Sequence, residues 1–131
     1  MDKIKVLDYL ENSDLSVIEE VDYENTLVVK VFYEFDEVEI NAAKCYANEE
    51  TDFEENSIEW ISEGIVSYLD DIAQDSVEEI MEDLVVDLNL EIEFVGREIS
   101  KENYEYKEFL LAIASEDDDL DIDKIMYDLN I

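Results

Sequence analysis

The sequence predicts an α+β domain: an antiparallel sheet of about five strands with helices packed on one face. Three observations lead there. Residues 16 to 35 and 90 to 95 are rich in β-branched and aromatic side chains, apolar residues recur at helical spacing between residues 58 and 88, and nothing proline- or glycine-rich divides the chain. Its 131 residues suit one domain spanning 1–131, and a hydrophobic content of 47% is too high for a disordered acidic chain.

Ile4, Leu7 and Leu10 predict a first helix ending near Asn12. SVIEEVDY and TLVVKVFYEF flank the turn-prone pair Glu24 and Asn25 and read as a hairpin. EVEINAAKCYA places Val38, Ile40 and Ala42 opposite Glu37, Glu39 and Asn41, so a third antiparallel strand is expected, with a short helix as the alternative. Residues 48 to 57 form a polar acidic loop. Asn56 with Glu59 then opens a helix carrying Ile58, Ile61, Ile65, Tyr68, Leu69 and Ile72. Ser76 with Glu79 repeats the capping signature ahead of a second helix carrying Val77, Ile80, Met81, Leu84, Val85 and Leu88. LEIEFV alternates Leu90, Ile92 and Phe94 against Glu91 and Glu93, the pattern of a strand with one buried face. The apolar run from Phe109 to Ala114 suits a central strand, and a final short helix carries Ile122, Ile125, Met126 and Leu129.

Cys45 is the single cysteine, so no internal disulfide forms, and its neighbours Ala42, Ala43 and Tyr46 suit a partly buried structural thiol. Asp2, Asp8 and Glu11 interrupt the region where an export signal needs an apolar run. No window approaches the roughly 18 apolar residues of a membrane span, and anionic lipid would repel this surface. A soluble, cytoplasmic protein is expected.

Forty Asp and Glu against eight Lys and Arg give a formal charge of −32. Net charge of roughly 2–8 already keeps a small domain dispersed, and further like charge opposes the compact state. Placement gives the excess a meaning. Glu79, Asp83 and Asp87 follow one another at i, i+4, i+8, and Glu78 with Glu82 form a parallel pair, with no Lys or Arg beside them in that helix. Each like-charged pair costs roughly 0.2–0.5 kcal/mol in an isolated helix, a cost that alternating Glu with Lys would remove. Glu37 with Glu39, and Glu91 with Glu93, would point outward at i, i+2 along strands. Such same-face spacings, roughly 6–7 Å, resemble the separation of phosphates along a nucleic-acid strand. Three further clusters fall in expected loops: Glu49, Glu50, Asp52, Glu54 and Glu55; Asp70, Asp71 and Asp75; and residues 116 to 123.

In size, and in acidity across the whole chain, the sequence resembles the DNA-mimic inhibitors that phages and mobile elements direct against restriction enzymes and CRISPR effectors. The resemblance implies a non-catalytic inhibitor that competitively blocks the nucleic-acid-binding groove of a basic protein and does not itself bind nucleic acid. Placement in the chain nominates the contact residues: Glu78, Glu79, Glu82, Asp83 and Asp87 on the helix, Glu37, Glu39, Glu91 and Glu93 on strands, and Asp117, Asp118 and Asp119 in a loop. Tyr23, Tyr33, Tyr104 and Tyr106 would add base-like contacts, although packing on the sheet is the simpler use of aromatics at strand positions. A homodimer would lengthen the charged surface. No cofactor, metal or catalytic residue is expected.

Four other readings compete. Asp117, Asp119, Asp121 and Asp123 alternate like the start of a calcium loop, with Asp128 near its end, but Ile122 stands where the turn needs Gly, so a helix-capping role for Asp119 or Asp121 fits better. The chain has no His, and its two glycines, Gly64 and Gly96, lie far from phosphate-loop spacing; chance carboxylate pairs give no specific sign of catalysis. Salt adaptation also produces acidic surfaces, yet abundant Ile, Asn and Tyr with sparse Ala point to an A+T-rich genome instead. An immunity protein or antitoxin that neutralises a basic nuclease would use the same electrostatic steering, but through one acidic face, whereas acids here lie along the whole chain.

Overall fold

A computed structural model describes residues 1–115 and 119–131. The chain opens with helix α1 (Lys3–Glu11), whose N-terminus is capped by the Asp2 carboxylate accepting from the Lys5 amide. Strands β1 (Ser16–Tyr23) and β2 (Thr26–Glu34) form the expected hairpin across Glu24 and Asn25, with Glu24 at φ 52°. A bulge between Val17 and Glu19 bends β1.

The third strand expected over residues 37 to 47 is instead helix α2 (Glu37–Glu50). Local chemistry decides this. The Asp36 carboxylate accepts from the Glu39 amide at 2.7 Å while Glu39 accepts from the Asp36 amide at 3.1 Å, a complete capping box. Ala43 and Ala47 then lie one turn apart and wholly buried, whereas Val38, assigned to a strand's inner face, is 76% exposed. The two helices expected over residues 56 to 88 are one continuous run. Ser57 opens it by accepting from the Trp60 amide at 3.2 Å, a π-helical turn follows at Trp60–Ile65, and α3 (Val66–Leu88) continues unbroken through Ser76. Leu69, Ala73, Val77, Met81 and Leu84 keep one buried register across the expected break, so the capping signature at Ser76 is overridden by packing. Asp70, Asp71 and Asp75 therefore belong to a helix and not to a loop.

Asn89 ends α3 in the left-handed region, at φ 53°, a conformation Asn tolerates better than most side chains. Strand β3 (Leu90–Gly96) starts at the next residue, and β4 (Tyr106–Ser115) follows. Helix α4 (Ile122–Leu129) closes the chain, with the Asp121 carboxylate accepting from the Lys124 amide, which bears out the capping role expected there.

The sheet has four antiparallel strands in the order β1-β2-β4-β3, one fewer than about five because residues 37 to 47 left it. Alternate residues of its two central strands serve different layers. Leu27, Val29 and Val31 of β2 and Phe109, Leu111 and Ile113 of β4 meet α1, α2 and α3 in the main core. Val28, Leu110 and Ala112 face the other way and pack on Ile122 and Ile125 of α4. Helices thus cover both faces, not one. The unbroken apolar run of β4 carries the reason, since every second residue needs cover on the far side as well.

Among the described residues no helix is long and apolar enough to cross a membrane. Cys45 is exposed on α2, contrary to the partly buried thiol expected, because the helix turns Ala43 and Ala47 inward and Cys45 away.

Candidate partner-binding surface

The outer face of α3 concentrates the charge. Glu78, Glu79, Glu82, Asp83 and Asp87 are all exposed, and the unbroken helix adds Asp71 and Asp75 to the same side. At about 100° per residue, Asp71, Asp75, Glu78, Glu79, Glu82 and Asp83 fall within about 140° of arc. Their carboxylates spread along about 18 Å of helix axis, one per about 3.6 Å, close to the rise of about 3.4 Å per phosphate in one strand of a duplex.

Among the described residues no ion pair reaches this stripe. The ion pairs among the described residues are Lys3 with Asp22, Lys30 with Glu19 at 3.6 Å, Arg97 with Glu108 at 3.8 Å, and Lys107 with Asp70. None includes an acid of the outer stripe. Asp87, at the margin, accepts from the Tyr9 hydroxyl at 3.0 Å and so ties α3 to α1. Desolvation, and then Asp87 with Asp83, push the Tyr9 phenol above its ordinary range.

The remaining nominated residues divide. Glu37 is exposed in the first turn of α2, but Glu39 is half-buried, held by the capping box and by the Tyr33 hydroxyl, which donates to it at 2.9 Å. Glu39 is therefore a structural acid, and neither residue is on a strand. Glu91 and Glu93 do lie on β3, opposite Ala114 and Ala112, on the sheet face that α4 covers and away from α3. The surface is thus not one plane. Asp119 is exposed just before α4, while Asp117 and Asp118 lie outside the described residues.

The tyrosines take the simpler use. Tyr106 stacks on Phe32 with ring centroids 4.4 Å apart, Tyr104 packs against the main core, and Tyr33 meets Phe35 edge-on. Tyr23 donates to Asp128 of α4, which pushes its phenol up to about 12, with desolvation as the second cause.

Two features escaped the sequence reading. Met81, Val85 and Val86 of α3 and Ile92 and Phe94 of β3 line an open apolar groove whose rim carries Glu78 and Glu82. Helical spacing signalled Met81 and Val85 as core, but only the one-residue link at Asn89 brings the strand beneath them. The second is Lys107 of β4, 5% exposed, which reaches up from the sheet to Asp70 of α3 and lies 5.1 Å above the Phe109 ring. No family model, curated protein or solved structure matches the chain.

Proposed function

We propose that this protein is a non-catalytic inhibitor that offers α3 as a row of surrogate phosphates to the nucleic-acid groove of a basic defence protein, such as a CRISPR effector or a restriction enzyme. The carrying observation is the stripe from Asp71 to Asp83: six exposed carboxylates on one helix, at near-phosphate axial spacing, none of them in an ion pair among the described residues. Lys and Arg side chains that grip a phosphate backbone recognise charge and spacing more than sequence, so a helix that reproduces both competes for them. The preformed helix favours the contact, because its backbone need not be ordered at the moment of binding.

The test is capture from host lysate at low salt, a salt-step elution, and competition with duplex DNA. A single nuclease or effector that DNA displaces, with affinity falling steeply as salt rises, is the expected result. Affinity that hardly changes with salt would remove the mimicry. Replacing Glu79, Glu82 and Asp83 together by Lys should abolish inhibition while leaving the helical circular dichroism intact, since all three are exposed and Asp87 keeps its bond to Tyr9. Inhibition retained by that variant would move the contact off α3.

A further inference from the structure

We propose that the open edge of β3 takes up an extended segment of the partner in which apolar side chains alternate with Lys or Arg. The proposal rests on the reading above that the partner is a basic protein, and adds how a backbone, and not charge alone, is recognised.

β3 is the last strand of the sheet order and pairs only with β4. The phase of that ladder follows from one bond beyond its end. The Arg97 amide donates to the Glu108 carbonyl at 2.8 Å, so odd-numbered residues of β3 bond to β4 and the amides and carbonyls of Ile92 and Phe94 turn outward. A strand laid along this edge pairs with them, the mode of β-augmentation.

Side chains of the added strand would alternate between two environments. Those beside Ile92 and Phe94 enter the groove beneath α3, where Val86 is 74% exposed and has no described cover. Those beside Glu91 and Glu93 meet two carboxylates on the opposite face. An incoming strand therefore fits best with apolar residues at every second position and cations between them.

Charge also selects the occupant. Acidic residues on an edge strand ordinarily guard against edge-to-edge pairing between copies of a protein. A second copy of this chain would bring Glu91, Glu93, Glu78 and Glu82 against the same residues and be repelled. A cationic strand meets no such barrier, so the device that excludes self-association admits a basic partner.

The test titrates the nitrogen-labelled full chain with a capped peptide alternating Lys and Val, and follows amide exchange. At a peptide concentration about 100 times its Kd, exchange at Ile92 and Phe94 should slow about 100-fold. A peptide of equal composition with its lysines in one block should bind at least about tenfold more weakly. N-methylation of one alternate set of peptide amides should abolish binding while methylation of the other set spares it. Ile92→Pro should also abolish binding and leave the sheet intact, because that amide does not serve β4; if the variant unfolds, the two methylated peptides decide. Equal binding by the block peptide and both methylated peptides would overturn strand addition and reduce the edge to an acidic surface. That outcome leaves mimicry standing, since mimicry is read from DNA displacement. Edge protection without a partner that DNA displaces would remove mimicry instead.

Discussion

Lys107 is the one charged side chain buried among the described residues, and Gly96 makes room for it. A Cβ at position 96 would come within 2.6 Å of Lys107 Cε and 2.9 Å of Nζ. Asp70, itself partly exposed, supplies the counter-charge. Asp70→Asn should therefore destabilise the fold by about 1–2 kcal/mol, the loss of a charged hydrogen bond discounted for solvent, as read from urea denaturation. Lys107→Met removes the buried charge along with its need for a partner and should cost less. A larger loss from Lys107→Met would mean that the ammonium does more than fill space. Tyr23 gives a pH prediction. Its folded phenol is raised to about 12 from about 10, so the Asp128 bond contributes its full stability below about pH 10 and loses it as pH rises through about 12. Tyr23→Phe should flatten that part of the stability profile, measured by thermal melts across the alkaline range.

At the scale of elements, legibility followed how far the deciding interaction lay along the chain. The hairpin, α1, β3 and α4 were readable because periodicity and turn residues are local. Residues 37 to 47 carried two patterns at once. Val38, Ile40 and Ala42 alternate as in a strand, but Asp36 and Glu39 close a capping box that the alternation cannot outweigh. The merger into α3 was hidden by Ser76, a good cap in isolation, although Ala73 already joined the two apolar stripes. The candidate site was legible in the exposed α3 acids, and illegible where burial reassigned a carboxylate, as at Glu39, or where two elements meet, as in the groove. The approach of α2 to the π-helical turn belongs to this scale too. Gly64 faces Ala47 so closely that an added Cβ would lie 2.6 Å from the Ala47 Cβ. Gly64→Ala should cost about 1–3 kcal/mol by forcing the two helical segments apart, and Ala47→Gly in that background should return part of it. Urea midpoints for the two single variants and the pair check this.

For the whole molecule, net charge sets a standing opposition to folding. Same-face neighbours on α3, one turn or about 6 Å apart, fall within the Debye length of about 8 Å at physiological ionic strength, so their carboxylates repel one another in the free protein. Added salt should raise the melting temperature of the free protein over the same range in which it weakens partner binding. The opposite signs distinguish screening of self-repulsion from a general effect of salt on hydrophobic burial, which would not weaken binding. A melting temperature independent of salt would mean that the charges are already dispersed enough not to interact.

Cys45 draws these scales together. It is the single thiol of the chain, exposed on α2, with Glu49, Glu50 and Asp52 following in sequence. A reagent that reaches it must cross the local electric field. Cationic disulfides are drawn in and anionic ones turned away, and the ratio of their reaction rates measures the potential at that point. The helix that displaced the expected strand has thereby placed a built-in voltmeter on the surface, at a site that no contact proposed for the partner requires.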